Sequence, residues 1–104
     1  MGKAKTAEVY GQEFTTPDGY VRVKLPDHPS AARSGSIAKH RLIMEETLGR
    51  RLLPEETVHH LNGIRSDNRP ENLELWVSPQ KPGQRVEDLV AWARKILDLY
   101  GEMT

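Results

Sequence analysis

Two adjacent histidines, His59 and His60, are followed closely by Leu61-Asn62-Gly63 and by Asp67-Asn68-Arg69-Pro70-Glu71-Asn72-Leu73, so metal-ligating and proton-transferring side chains share one short run. On an extended segment neighbouring side chains point to opposite faces, which lets one imidazole hold a cation while the next faces a water. A histidine can take a water's proton near neutrality, and a bound cation offsets charge building on a phosphate and its leaving oxygen. That division of labour suits hydrolysis of a phosphodiester bond.

The elements that must carry these residues follow from local pattern. Thr57-Val58-His59-His60 has the β-branched start of a short strand, Asn62-Gly63 bends the chain into a polar loop, and Leu73-Glu74-Leu75-Trp76-Val77 returns as a second strand. Beyond the junction from Ser78 to Gly83, the residues Val86, Leu89, Val90, Ala93, Ile96, Leu97 and Tyr100 follow helical spacing, with Gly101 as the expected stop. This helix is expected to pack the fold together, its exposed face being free for a partner.

Upstream, Pro17-Asp18-Gly19 signals a turn that opens onto Tyr20–Leu25, where apolar and polar residues alternate as in a half-buried strand. Ser30–Gly35 reads as a loop, and Ser36 is expected to cap a helix through Leu48, with Ile37, Met44 and Leu48 on one stripe and Gly49 as its stop. Met1–Tyr10 is a polar leader without periodicity.

With 104 residues the chain is long enough for one modest core. The absence of cysteine excludes disulfide frameworks and thiolate zinc ribbons, leaving histidine, carboxylate or amide ligands for any ion. No apolar run reaches membrane-spanning length and the leader lacks a secretion signal, so the expectation is a cytoplasmic protein without membrane contact. Net charge is zero, yet residues 20–51 carry seven Lys or Arg against three acids, while residues 52–76 carry two against five. Such asymmetry fits a phosphate-facing patch beside a cation site, but on this feature alone ordinary solvated charge is the better reading.

The run Val58-His59-His60-Leu61-Asn62-Gly63 with Asn68-Arg69-Pro70-Glu71-Asn72-Leu73-Glu74-Leu75 resembles the HNH endonuclease motif, and Lys39-His40-Arg41-Leu42-Ile43-Met44-Glu45 resembles the helix preceding it in small phage-associated members. The resemblance implies an α+β fold: a ββα-metal (His-Me) finger with an N-terminal β-hairpin and helix extension and a C-terminal amphipathic helix. Residues 1–18 would form a flexible leader and first hairpin arm, and 19–104 the nuclease domain, with the finger core at about 54–100. It implies His60 as general base, His59 as ligand of one divalent cation, and Asn72, with Asn68, as the scaffold of the loop. Water attack would leave 5′-phosphate and 3′-hydroxyl ends on DNA.

The family's third position, a His or Asn at the start of the closing helix, falls at Gln80 or Lys81. A lysine is a poor ligand, so Gln80 is the candidate, with Gln84 four residues later on the expected helix face. One imidazole with an amide oxygen favours Mg²⁺ or Mn²⁺, with Ni²⁺ or Zn²⁺ as further candidates. His40 has two open readings, a contact to metal or phosphate and a packing residue. His28 reads as a solvent-exposed loop residue. Arg22, Lys24, Arg41, Arg65 and Arg69 are candidate DNA-phosphate contacts, while Trp76 and Trp92 read as core anchors. The alternative reading is a noncatalytic DNA-binding accessory of a phage-packaging or mobile-element machine. A purely structural domain is the third. A monomer or weak homodimer is expected.

Overall fold

A computed structural model describes residues 11–78 and 83–103. The leader Met1–Tyr10, Gln80 and Lys81 lie outside the described residues. Among the described residues, five strands and two α-helices make an α+β arrangement with two small sheets. Strands β1 (Gln12–Thr15), β2 (Val21–Lys24) and β3 (Ser36–Ala38) form an antiparallel sheet in that order. Helix α1 (Lys39–Leu48) follows directly, then β4 (Glu56–His60), which pairs antiparallel with β5 (Leu73–Val77). Helix α2 (Val86–Tyr100) closes the chain, running on into a 3-10 turn at Gly101–Met103.

The core gathers Val23 from β2, Ile37 from β3, Leu42, Ile43 and Met44 from α1, and Leu73 from β5. Leu25, Leu48, Leu52, Val58 and Leu75 pack against it. Helix α1 thus joins the two sheets, and the apolar area removed from water along this seam is the main favourable term holding them together. Gly49 ends α1 in the left-handed conformation expected of it, at φ 75°, with its N–H on the Glu45 carbonyl.

Ser36 does not cap a helix. It starts β3, whose register sets Ile37 opposite Val23 with both side chains buried, and this pairing of β-branched residues outweighs a cap. The helix starts three residues later, after Ala38, without a side-chain cap. Ser36 instead accepts hydrogen bonds from Arg22, Nε to its Oγ at 2.8 Å and Nη2 to its carbonyl at 3.0 Å.

The closing α-helix ends at Tyr100 with Gly101 as its cap, as expected, though Gly101 keeps right-handed geometry and leads into the 3-10 turn. Two further expectations are corrected. Helix α2 buries none of its residues, with Val86 and Leu97 at 77% and 68% exposure. It docks at its C-terminal half, where Tyr100 donates to Glu56 and Lys95 pairs with Glu55. His28 is half-buried rather than open to solvent: its Nδ1 accepts from the Ser30 N–H at 3.0 Å, and its Nε2 lies 3.9 Å from buried Glu45.

Candidate active site

Strand β4 carries both histidines, and its alternation sends them to opposite faces. His60 faces the junction between the sheets. Its ring lies edge-on to His40 at 5.0 Å between centroids and 6.2 Å from Tyr20, which is itself 5.4 Å from His40. Residues from β4, the first turn of α1 and the position just before β2 therefore share one aromatic cluster, assembled by the same core seam that joins the sheets.

The His60 Nε2 and Asn68 Oδ1 are 2.7 Å apart. An amide oxygen only accepts, so Nε2 carries a hydrogen, and in the neutral ring Nδ1 is the nitrogen with the lone pair. Asn68 is buried, and its Nδ2 finds no partner among the described residues. The fold thus tolerates an uncompensated donor while holding the imidazole.

The loop is built around buried Asn72, which ends the 3-10 turn Pro70–Asn72. Its Oδ1 accepts from Asn62 N, while its Nδ2 donates to Asn62 Oδ1 at 3.0 Å and to the Asp67 carbonyl at 2.8 Å. Asp67 accepts a two-pronged bond from Arg69, which holds its carboxyl far below the usual range, and a third bond from Asn62 Nδ2. Gly63 takes φ 76° at the first bend, where a side chain would be strained.

On the other face of β4, His59 stacks on Trp76 with centroids 3.7 Å apart and rings 19° from parallel. Trp76 is 52% exposed and no core anchor, because its position in β5 turns it to solvent beside His59. Its Nε1 donates to Glu74, the residue directly across from His59. Stacking covers the imidazole's face and leaves its in-plane nitrogens uncovered, so His59 suits a divalent cation, with a carboxylate adding negative potential nearby. Among the described residues no group of three His, Cys, Asp or Glu converges. Gln84 precedes the helix N-cap Arg85, so it lies outside α2 and not on the helix face expected of it.

A cleft of ≈ 220 Å³ is lined by Tyr20, Val58, His59, His60, Gly63 and Arg65, and a second of ≈ 460 Å³ by Tyr20, Arg22, His40 and the Thr16–Asp18 turn. Tyr20 borders both. Burial, then the charges of His60, Arg41 and Arg22, pushes His40 down to about 4, and its Nδ1 has no partner among the described residues. His40 is therefore neutral at physiological pH. Of the basic candidates, Arg65 and Arg22 line the clefts, Lys24 extends over Phe14, Arg41 flanks His40, and Arg69 is spent on Asp67 and Glu71. Tyr20, Glu74 and Trp76 were absent from the sequence-based site. Only the alternation that put Tyr20 on one face with Arg22 hinted at the first of them.

Residues 38–79 match the family model described as HNH endonuclease. The matched segment runs from the end of β3 through α1, β4, the Asn-rich loop and β5; the β1–β2 hairpin and α2 lie outside it. No curated protein and no solved structure gives a significant match. The matched model is one of nucleases, and nucleases of that family generally use a divalent metal. No helix among the described residues is long and apolar enough to cross a membrane.

Proposed function

We propose that the chain is a metal-dependent DNA endonuclease or nickase in which β4, β5 and α2 act as a ββα-metal finger. The observation that carries this reading is the His60–Asn68 hydrogen bond within the matched segment, because it leaves His60 Nδ1 as a lone-pair nitrogen held in a fixed orientation. His60 takes the proton of the attacking water as general base. Asn72 keeps the loop closed so that Asn68 stays against His60.

His59, with Gln80, would hold one divalent cation, Mg²⁺ or Mn²⁺ foremost and Ni²⁺ or Zn²⁺ as further candidates. When bound, that ion supplies positive charge to the phosphate and leaving oxygen. Arg22, Lys24, Arg41, Arg65 and Arg69 are the proposed DNA contacts, and their phosphate attraction would supply most of the nonspecific affinity. A single finger of this kind nicks as a monomer, and cutting both strands takes a weak homodimer or successive events. The setting proposed is the cytoplasm of a bacterium or of a phage's host, with a packaging or mobile-element protein supplying the target.

Conversion of supercoiled plasmid to nicked and linear forms, with each of the four ions or with EDTA, tests the reading against His60→Ala. Ion-dependent nicking that vanishes in the variant supports it. Equal cutting by both proteins overturns the base assignment, and DNA binding without cutting by the unsubstituted chain favours the noncatalytic accessory.

A further inference from the structure

We infer that Tyr20 is a positioning residue for Arg65: the turn of the β1–β2 hairpin holds this guanidinium in the histidine cleft, where it meets a phosphate of the bound strand. Three successive residues of that turn touch the arginine. Arg65 Nη1 donates to the Asp18 carbonyl at 2.6 Å. Its stem crosses Gly19, where an added Cβ would lie 3.8 Å from Arg65 Cδ. Its Cζ lies 4.9 Å from the centroid of the Tyr20 ring. The turn is itself braced, with Thr16 N donating to the Tyr20 carbonyl and Gly19 N to the Thr16 carbonyl.

Arg65 differs from Arg22, Arg50 and Arg69 in how little of it is spent. Arg22 is tied to Ser36, Arg50 to Glu56 and Arg69 to Asp67, whereas Arg65 gives one N–H to a neutral carbonyl and makes no ion pair within 4 Å among the described residues. A guanidinium has five donors, so most of its hydrogen-bonding capacity is uncommitted, and its charge acts on the nearby Asp18 carboxylate without forming a close ion pair. It borders the cleft that His59 and His60 line. An arginine on an exposed loop loses rotamer freedom when it grips a phosphate, and attraction to an aromatic face together with a backbone hydrogen bond removes part of that loss beforehand. Tyr20 cannot serve as a base-stacking platform in this arrangement, because Arg65 lies over its ring and His40 packs beside it. The hairpin lies outside the matched family segment, so this role belongs to the chain's own elaboration.

The inference rests on the nuclease reading for its phosphate being the scissile one, and the test separates the two. Tyr20→Phe, Tyr20→Leu, Arg65→Ala and the double variant Tyr20→Leu/Arg65→Ala are compared for plasmid nicking and for affinity to a short DNA duplex across a salt series. Arg65→Ala is expected to lower kcat by about 10²-fold and to reduce the slope of log affinity against log salt by about one. Tyr20→Leu is expected to lower kcat roughly tenfold, Tyr20→Phe to change it little, and the double variant to be no worse than Arg65→Ala alone. Additive losses would overturn the inference, since a tyrosine that merely stabilises the fold acts equally with or without Arg65. If the unsubstituted chain binds DNA without cutting, the nuclease reading fails by itself and the same cycle on affinity decides the coupling. Should Tyr20→Leu not fold, the Arg65 side-chain protons decide it: a ring-current shift present in the unsubstituted chain and in Tyr20→Phe supports the contact, and its absence overturns it.

Discussion

Asn68 Oδ1 lies 2.7 Å from His60 Nε2, and this contact determines which nitrogen of the imidazole carries its hydrogen. The tautomer is imposed by a loop residue eight positions further along the chain, not by the strand that bears the histidine.

Replacing that acceptor is therefore expected to act on chemistry before binding. Asn68→Ala should lower kcat about tenfold or more with KM little changed, short of the 10²–10⁴ that a general base contributes as a whole. Asn68→Asp keeps an acceptor and removes the orphaned donor, so it should retain most of the rate. Equal losses in both variants would show that the hydrogen bond does not orient the base.

Asn72 joins the two ends of the loop through three hydrogen bonds while only 5% exposed. Asn72→Ala leaves Asn62 N and the Asp67 carbonyl without these partners, and should cost about 2–4 kcal/mol in urea denaturation, at roughly 1 kcal/mol or more for each broken bond. A loss under 0.5 kcal/mol would mean that solvent satisfies the loop without it.

The buried neutral His40 makes stability depend on pH in a defined window. Its folded value of about 4 lies below its ordinary 6.5, with burial the largest cause. Between these values the unfolded chain binds the proton and the folded chain does not, so stability is full above about pH 6.5 and falls as pH drops toward 4. Denaturation midpoints at pH 7, 5.5 and 4.5 should fall less steeply for His40→Gln than for the unsubstituted chain. Parallel curves would refute the assignment.

Glu56, 1% exposed, accepts two bonds from Arg50, one from the Leu53 N–H and one from the Tyr100 hydroxyl. Arg50 above all, against the opposing effect of burial, holds its carboxyl at about 2. This contribution is present above the ordinary 4.5 and lost as pH falls toward 2. Glu56→Gln should cost about 2–4 kcal/mol. Tyr100→Phe should cost about 1 kcal/mol overall and selectively speed amide exchange in α2, which buries none of its residues. Uniform acceleration across all strands would refute a local role for Tyr100.

The sequence by itself determined the layout of the β4–loop–β5 unit, because its signals are local. Strand alternation set His59 and His60 on opposite faces, Asn62-Gly63 made the bend, and apolar spacing outlined α2. The start of α1 was less legible, since Ser36 satisfies the local rules for a cap and only pairing with β2 makes it a strand residue. Tertiary structure alone decided that Tyr20, His40 and His60 meet, that Arg65 reaches back to Asp18, and that Trp76 covers His59 instead of filling the core. These contacts join residues far apart in the chain, and they exist only once α1 has packed its apolar face against both sheets and fixed where each strand's side chains point.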